Sequence, residues 1–261
     1  MAQSITLQRK LFVTLNNYRM FGLWQTAKDA LVYLLDRRPD DFDEKYGVQT
    51  VENVEPWEAQ IKDDAVLANA IRYVPTLERV LRHILSSVLE GEDPHEFSFV
   101  DLGCGRGRAL MIASQFPFRE VIGIEISQLH AALAEENVQR YLAHPRSADA
   151  PCRRLRVICD NAAHLELPDG DVIVYMYRPF VGAVFEAVAN RLVQLRGRQK
   201  RRIWVALSCP SEDYMFARRS DFRMLRQYDV INGEYSWSLW EVQGPLEHEK
   251  SPALEEARPR A

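Results

Sequence analysis

Hydrophobic and polar positions divide the chain into two kinds of pattern. Over residues 5–35, apolar side chains recur at helical spacing and form a broad stripe, which predicts an amphipathic helical segment. A second helix is predicted from about Leu77 to Leu89, after the start signal Pro75-Thr76. From residue 97 onwards, short apolar runs alternate with helix-length segments, and this alternation is typical of an α/β fold.

Seven short apolar runs are the candidate strands of this fold. They are Phe97–Leu102, Glu120–Ile126, Leu155–Cys159, Asp171–Tyr177, Arg202–Cys209, Phe222–Val230 and Trp237–Gln243. Helices fit between the first five at 107–115, 128–142 and 181–195, with an irregular piece at 162–166, so these strands should be parallel. Asn232-Gly233 indicates a hairpin between the last two. The predicted fold is a doubly wound, mostly parallel seven-stranded sheet that ends in an antiparallel hairpin and follows an N-terminal helical extension.

The chain is expected to have three parts. Residues 1–76 would form a helical cap or lid, residues 77–244 the α/β domain, and the polar residues 245–261 a disordered tail. The helical extension could instead lie on a membrane surface or mediate a homodimer. Few Lys and Arg residues are available for the polar face of a membrane-surface helix, so we favour the lid.

Composition and charge narrow the range of partners. The chain has 33 Lys and Arg against 37 Asp and Glu, a formal charge of −4, which gives no general attraction to nucleic acid. The basic run at 196–202 precedes a predicted strand and is interpreted as a solvated turn. No run approaches the ~20 apolar residues of a transmembrane helix, and no secretory signal is visible. The four cysteines have no metal-ligand spacing, so we expect a cytoplasmic protein with no bound metal.

A glycine-rich loop follows the first predicted strand. Asp101 ends the apolar run, and glycine then occupies every second position at Gly103, Gly105 and Gly107. Such a loop lets the backbone approach a ligand closely at the start of a helix. The dinucleotide fingerprint Gly-x-Gly-x-x-Gly would need a third glycine where this chain has Arg108, which disfavours a dinucleotide oxidoreductase.

Three consecutive predicted strands end in an acid. Asp101, Glu125 and Asp160 would therefore share the carboxyl edge of the sheet, where open α/β sheets bind their ligands. A carboxylate at Glu125 can accept both ribose hydroxyl protons, and one at Asp160 can accept from an adenine amino group. The acids and the glycine loop together predict a nucleoside-containing cofactor.

These motifs resemble the class I, Rossmann-like S-adenosylmethionine-dependent methyltransferases, over about residues 95–243. Two further segments, Phe42-Asp43-Glu44-Lys45-Tyr46-Gly47-Val48 and Tyr73-Val74-Pro75-Thr76, are similar to those of a bacterial subgroup of that family. The resemblance implies S-adenosylmethionine as the cofactor and S-adenosylhomocysteine as the product. It also implies these cofactor-binding residues: Asp101 at the methionine amino group, Gly103, Gly105 and Gly107 along the backbone, Glu125 at the ribose, Ile126 on the adenine face, Asp160 and Asn161 at the adenine edge, and Tyr73 and Thr76 over the methionine end.

The acceptor should bind at the end of the fourth strand, at Tyr177-Arg178-Pro179-Phe180. The family pattern has Asn where this chain has Arg178, and arginine offers donors but no acceptor. Arg178 could bind a carboxylate or phosphate instead, or turn to solvent or to Asp160. Substrate contacts are expected from Tyr46 and from Tyr177, Arg178, Pro179 and Phe180. The candidate catalytic residues are Tyr177, Arg178 and His164.

We therefore expect methyl transfer to a small molecule, and Arg178 would suit one with an anionic group. Protein lysine methylation and a non-catalytic module that binds the cofactor are the alternatives.

Overall fold

One mixed sheet organises the computed structural model, which describes residues 40–51, 73–198, 201–209, 213–228 and 236–243. Its strands are β1 (Phe97–Leu102), β2 (Val121–Glu125), β3 (Leu155–Cys159), β4 (Asp171–Met176), β5 (Ile203–Ser208), β6 (Phe222–Tyr228) and β7 (Trp237–Val242). Their order is β3-β2-β1-β4-β5-β7-β6. The first five strands are parallel, and β7 runs antiparallel to both β5 and β6. The predicted fold class is confirmed.

The helices connect the strands as the sequence pattern indicated. They are α1 (Phe42–Tyr46), α2 (Glu78–Val88), α3 (Arg108–Ala113), α4 (Gln128–Ala143), α5 (Gly182–Arg198) and α6 (Asp213–Ala217). The irregular piece predicted at 162–166 is a 3-10 turn at Ala162–His164. The short helix α1 lies in a segment for which the sequence pattern predicted no element.

Two apolar layers cover the two faces of the sheet. Along β1, Phe99 belongs to the layer under α2, α3 and α4, whereas Val100 belongs to the layer under α5. All six residues of β1 are buried, as a central parallel strand requires, while the edge strand β3 is half exposed. The sheet therefore lies between two layers of helices.

The segment 40–51 packs against the first of these layers. Phe42, Tyr46 and Val48 are buried in the same apolar cluster as α2 and α3. The predicted division of the chain at residue 76 stays a prediction. The predicted helix at 5–35, the turn at Asn232-Gly233 and the tail at 245–261 lie outside the described residues.

Candidate functional site

The acids predicted to share one edge of the sheet lie at the ends of adjacent strands. In the parallel register, Asp101 of β1 pairs with Gly123 of β2, and Glu125 pairs with Cys159 of β3. Asp160 follows immediately, and its backbone N–H donates to the Glu125 carbonyl at 3.1 Å. The chain order reverses between β1 and β4, so Asp101 borders the topological switch point where open α/β sheets bind ligands, and Glu125 and Asp160 continue the same edge away from it.

The glycine loop needs glycine for two physical reasons. Gly103, Gly105 and Gly107 all have positive φ, at 79°, 53° and 81°, a region that side chains with a Cβ rarely adopt. A Cβ on Gly103 would also lie 2.3 Å from the Pro179 Cβ, and one on Gly105 would lie 2.1 Å from the Tyr73 ring. The loop therefore combines a tight backbone path with close contacts from two other segments.

Glu125 is buried, and backbone donors hold its carboxylate. Its Oε2 accepts from the Gly105 N–H at 2.9 Å, and its Oε1 accepts from the Ser127 N–H at 2.8 Å. Burial raises the pKa of Glu125, although the backbone N–H groups act in the opposite direction. Because each carboxylate oxygen can accept more than one hydrogen bond, Glu125 keeps capacity for a pair of ribose hydroxyls.

Asp101 is also buried, and it lies beside Tyr175 in the register of β1 and β4. Burial raises the pKa of Asp101 well above its usual range, and the nearby Glu125 carboxylate adds to this effect. A buried carboxylate of this kind is stabilised in its charged form by a cation placed beside it. An ammonium group at this point would fit that requirement.

Asp160, Asn161 and His164 lie on the more exposed side of the same edge. Asp160 Oδ1 accepts from the Asn161 N–H at 2.6 Å and lies 3.2 Å from His164 Nδ1. Asn161 Oδ1 in turn accepts from the Ala163 N–H at 2.9 Å and begins the 3-10 turn. His164 therefore pairs with the residue expected at the adenine edge, and its catalytic role stays a prediction.

Ile126, Tyr73 and Thr76 complete the residues expected around the cofactor. Ile126 is half-buried directly after Glu125. The Tyr73 ring covers Gly105, and Thr76 Oγ1 lies 3.4 Å from the Tyr175 hydroxyl. Tyr73 and Thr76 thus approach the glycine loop and the end of β4, and their contact with the methionine end of the cofactor stays a prediction.

The segment after β4 supplies the candidate acceptor residues. Tyr177 is half-buried, Pro179 contacts Gly103, and Phe180 packs in the apolar layer under α5. Arg178 is exposed and has a positive φ of 46°, which is uncommon for a residue other than glycine. Within the described ranges no ion pair joins Arg178 to another residue, and Asp160 pairs with His164 instead.

Tyr46 lies in an aromatic cluster. Its ring centroid is 4.8 Å from that of Phe42 and 4.9 Å from that of Tyr141, and its hydroxyl accepts from Gln115 Nε2 at 3.4 Å. Its contacts are those of a core residue that anchors the segment 40–51. Its predicted contact with the substrate stays a prediction that these contacts do not support.

Sequence reasoning missed the role of Arg108 at the start of α3. Its guanidinium is buried and pairs with Asp40 and Asp43, two acids from the segment 40–51. The one signal in the sequence was that an arginine directly follows the glycine loop and begins the apolar run of α3, so its charge would be buried. In the sequence alone, Arg108 shows only a departure from the dinucleotide fingerprint.

No helix within the described ranges has the length and apolar character needed to cross a membrane. The same part of the chain holds no cluster of three or more His, Cys, Asp or Glu side chains suited to a metal ion.

Comparison with known proteins gives a family match and several distant similarities of fold. Residues 100–191 match the family model of a methyltransferase domain. No curated protein matches the chain. Similar solved structures include the glycopeptide N-methyltransferase MtfA with S-adenosylmethionine, at 14% identity over 66% of this chain and 96% of that chain, with a TM-score of 0.47. A putative methyltransferase, yhhF from Escherichia coli, is 18% identical over 66% of this chain and 88% of that chain, with a TM-score of 0.45.

A third similar structure covers more of the chain. Magnesium protoporphyrin IX methyltransferase from Synechocystis PCC 6803, with bound S-adenosylmethionine, is 15% identical over 92% of this chain and 98% of that chain, with a TM-score of 0.41. Similarity this low carries no conclusion about the acceptor, and the narrower bacterial subgroup stays a prediction. The family match spans the glycine loop and the ends of β1 to β4. Residues 100–191 of the chain therefore resemble a methyltransferase domain.

Proposed function

We propose that the chain transfers a methyl group from S-adenosylmethionine to a small molecule that bears an anionic group. The observation that carries this proposal is Arg178, an exposed guanidinium next to Pro179, which contacts the glycine loop at Gly103. An arginine presents forked donors that match a carboxylate or phosphate, and it offers no acceptor for an amine.

The residues of the carboxyl edge fit the cofactor. The buried Asp101 carboxyl suits the methionine ammonium, and Glu125 suits the ribose hydroxyls. The loop follows a path with positive φ at Gly103, Gly105 and Gly107 and carries no side chain at these positions, which would let its backbone approach the nucleoside. Ile126 would cover one face of the adenine, Asp160 and Asn161 would contact its edge, and Tyr73 and Thr76 would close over the methionine end.

The cofactor supplies a sulfonium methyl group that is already electrophilic. The protein then has to hold the acceptor in line with the carbon–sulfur bond and exclude water. Arg178 would fix the anionic group of the acceptor, while Tyr177 and Phe180 would form the wall beside it. An acceptor that loses a proton needs a base, for which Tyr177 and His164 are the candidates.

Two measurements test this function in sequence. Isothermal titration calorimetry with S-adenosylhomocysteine tests the cofactor site, and no binding at millimolar ligand rejects it. A panel of acceptors is then assayed for S-adenosylhomocysteine formation, in matched pairs of a carboxylate or phosphate and its neutral amide or ester. We expect turnover on the anionic member of a pair and little on the neutral one.

The panel also separates the alternatives. Equal turnover on both members of each pair would contradict the anionic acceptor. Turnover confined to lysine-containing proteins would favour a protein methyltransferase. Tight binding of the cofactor with no turnover on any acceptor would favour a non-catalytic module.

A further inference from the structure

Arg108 is a buried charge that the chain neutralises from a distant segment. Its Nη1 and Nη2 donate to the two carboxylate oxygens of Asp40 at 3.0 Å each, and Nη2 lies 3.5 Å from Asp43 Oδ1. Its guanidinium also lies 4.8 Å from the centroid of the Phe42 ring. A buried charge without partners is strongly destabilising, so α3 and the segment 40–51 depend on each other.

Asp43 extends this contact along the segment. One of its carboxylate oxygens accepts from the Thr50 N–H at 2.5 Å and from the Val51 N–H at 2.8 Å. The other accepts from the Thr50 hydroxyl at 2.5 Å. The carboxylate that pairs with Arg108 therefore also fixes the backbone at Thr50.

Thr50 is linked in turn to the glycine loop. Its carbonyl accepts from the Tyr73 hydroxyl at 3.1 Å, and the Tyr73 ring covers Gly105. Burial raises the pKa of the Tyr73 hydroxyl, which keeps it protonated and able to donate. A chain of contacts thus runs from Arg108 through Asp43 and Thr50 to the ring above the loop.

A second contact ties the same segment to the loop. Asn137 of α4 accepts from the Gln49 N–H at 2.9 Å and donates to the Gln49 carbonyl at 3.1 Å. It also donates to the Arg106 carbonyl, within the glycine loop, at 3.0 Å. The segment 40–51 is therefore held at both of its ends against the elements that form the cofactor site.

We propose that Arg108 is a positioning residue for the cofactor site, because through Asp43 and Thr50 it fixes where Tyr73 lies over Gly105. This inference rests on the proposed place of Tyr73 over the methionine end of the cofactor. If Arg108 only attached the segment 40–51 to the core, Arg108→Gln would lower the stability of the protein and leave its affinity for the cofactor unchanged. If Arg108 positions Tyr73, Arg108→Gln would also lower the affinity for the cofactor, because Tyr73 would move.

A double-mutant cycle separates these two roles. Arg108→Gln, Tyr73→Phe and the double variant are compared with the wild-type protein for binding of S-adenosylhomocysteine by calorimetry. Each single variant should bind about fivefold more weakly, the effect of losing one hydrogen bond of typical strength. In the Tyr73→Phe background, Arg108→Gln should weaken binding less than about twofold, because the link it acts through is already broken. Independent effects that multiply would overturn the inference.

Arg202 provides a control at the opposite edge of the sheet, with a side chain that is 32% exposed where that of Arg108 is 2% exposed. It is another arginine held by acids, including Asp171 at 2.6 Å, with its guanidinium 4.6 Å from the Phe97 ring centroid. Arg202→Gln should lower the melting temperature and leave the affinity for S-adenosylhomocysteine unchanged. An equal loss of affinity in this control would show that general destabilisation explains the effect of Arg108→Gln and would overturn the inference.

Asp43→Asn tests the same link if Arg108→Gln does not fold. Asp43 is only partly buried, so its amide should be tolerated, and it should weaken binding by a similar factor with the same dependence on Tyr73. Wild-type affinity in Asp43→Asn would overturn the inference and leave the cofactor site intact. Failure of the wild-type protein to bind would reject the cofactor site, and the inference with it.

Discussion

The two ends of the candidate site lie on one edge of the same sheet and differ in construction. At the cofactor end, Asp101 and Glu125 are buried, and backbone N–H groups hold the Glu125 carboxylate in place. At the acceptor end, Arg178 is exposed on a backbone with positive φ, with no ion pair to another residue in the described ranges. The first end is fixed by packing, whereas the second depends on one side chain that packing does not hold.

Under the proposed function, this difference would place the specificity for the acceptor at the Arg178 end. A glycine in close contact with another segment cannot be replaced without an energetic penalty, and a buried acid that pairs with the cofactor cannot be replaced without a loss of affinity, so the cofactor end has few alternatives. An exposed side chain after a strand can change with little effect on the fold, which is how one fold serves many acceptors. Substitutions at the two ends should therefore affect different measurements.

The largest effect is expected from Gly105→Ala. The new Cβ would lie 2.1 Å from the Tyr73 ring at a φ of 53°, so either the ring or the loop must move. We expect affinity for S-adenosylhomocysteine to fall about a hundredfold by calorimetry. Gly91→Ala is the control, because Gly91 has a φ of 81° with nothing within 4 Å of its Cβ. It should reduce stability without changing affinity. Normal binding by Gly105→Ala would contradict the proposed contact of Tyr73 and the glycine loop with the cofactor.

Asp101→Asn should separate binding from stability. Asparagine cannot pair with the methionine ammonium as a carboxylate does, so we expect affinity for S-adenosylhomocysteine to fall about thirtyfold. Burial and the neighbouring Glu125 raise the pKa of Asp101 in the folded protein. As pH rises above its ordinary value of 3.8, the unfolded chain therefore loses this proton before the folded protein does.

Between the Asp101 pKa of the unfolded chain and the higher pKa of the folded protein, the folded protein binds one more proton than the unfolded chain does. The stability of the folded protein therefore falls as pH increases through this range. Asp101→Asn removes this loss, so the cofactor-free variant should melt at a higher temperature than the wild-type protein at pH 7. The difference should shrink as pH approaches 3.8. A variant that is less stable than the wild-type protein at pH 7 would show that the Asp101 carboxylate already has a stabilising partner.

Glu125→Gln should have a smaller effect. The amide keeps one oxygen to accept from the backbone but loses the charge and part of the acceptor capacity needed for two ribose hydroxyls. Affinity for S-adenosylhomocysteine should fall about tenfold in calorimetry. Glu120 directly precedes the first residue of β2, at the opposite end of the strand from Glu125. Glu120→Gln removes an exposed ion pair with Arg156 and serves as the control. Equal affinities in the two variants would remove Glu125 from the ribose site.

The arrangement of the acids and glycines at the cofactor end was predictable because local signals determine it. The apolar runs marked β1, β2 and β3, so the acids that follow them had to meet at one edge, and alternating glycines marked the loop. The contact between Arg108 and Asp40 joins residues 68 positions apart, and no local pattern encodes it. The same limit applies to Tyr46, whose motif gave no indication that its ring packs against Tyr141.

The smallest effect on cofactor binding is expected from Arg178→Asn, which tests the acceptor end. Asparagine tolerates positive φ better than arginine does, so the variant should gain about 0.5 kcal/mol of stability. Affinity for S-adenosylhomocysteine should change less than about twofold, while the KM for an anionic acceptor should rise about tenfold.

Arg154→Asn, at an exposed arginine without positive φ just before β3, should change none of these values. If Arg178→Asn instead weakened cofactor binding as strongly as Glu125→Gln, Arg178 would belong to the cofactor end. The titration with S-adenosylhomocysteine contains no acceptor, so a side chain that contacts only the acceptor cannot change the affinity that it measures.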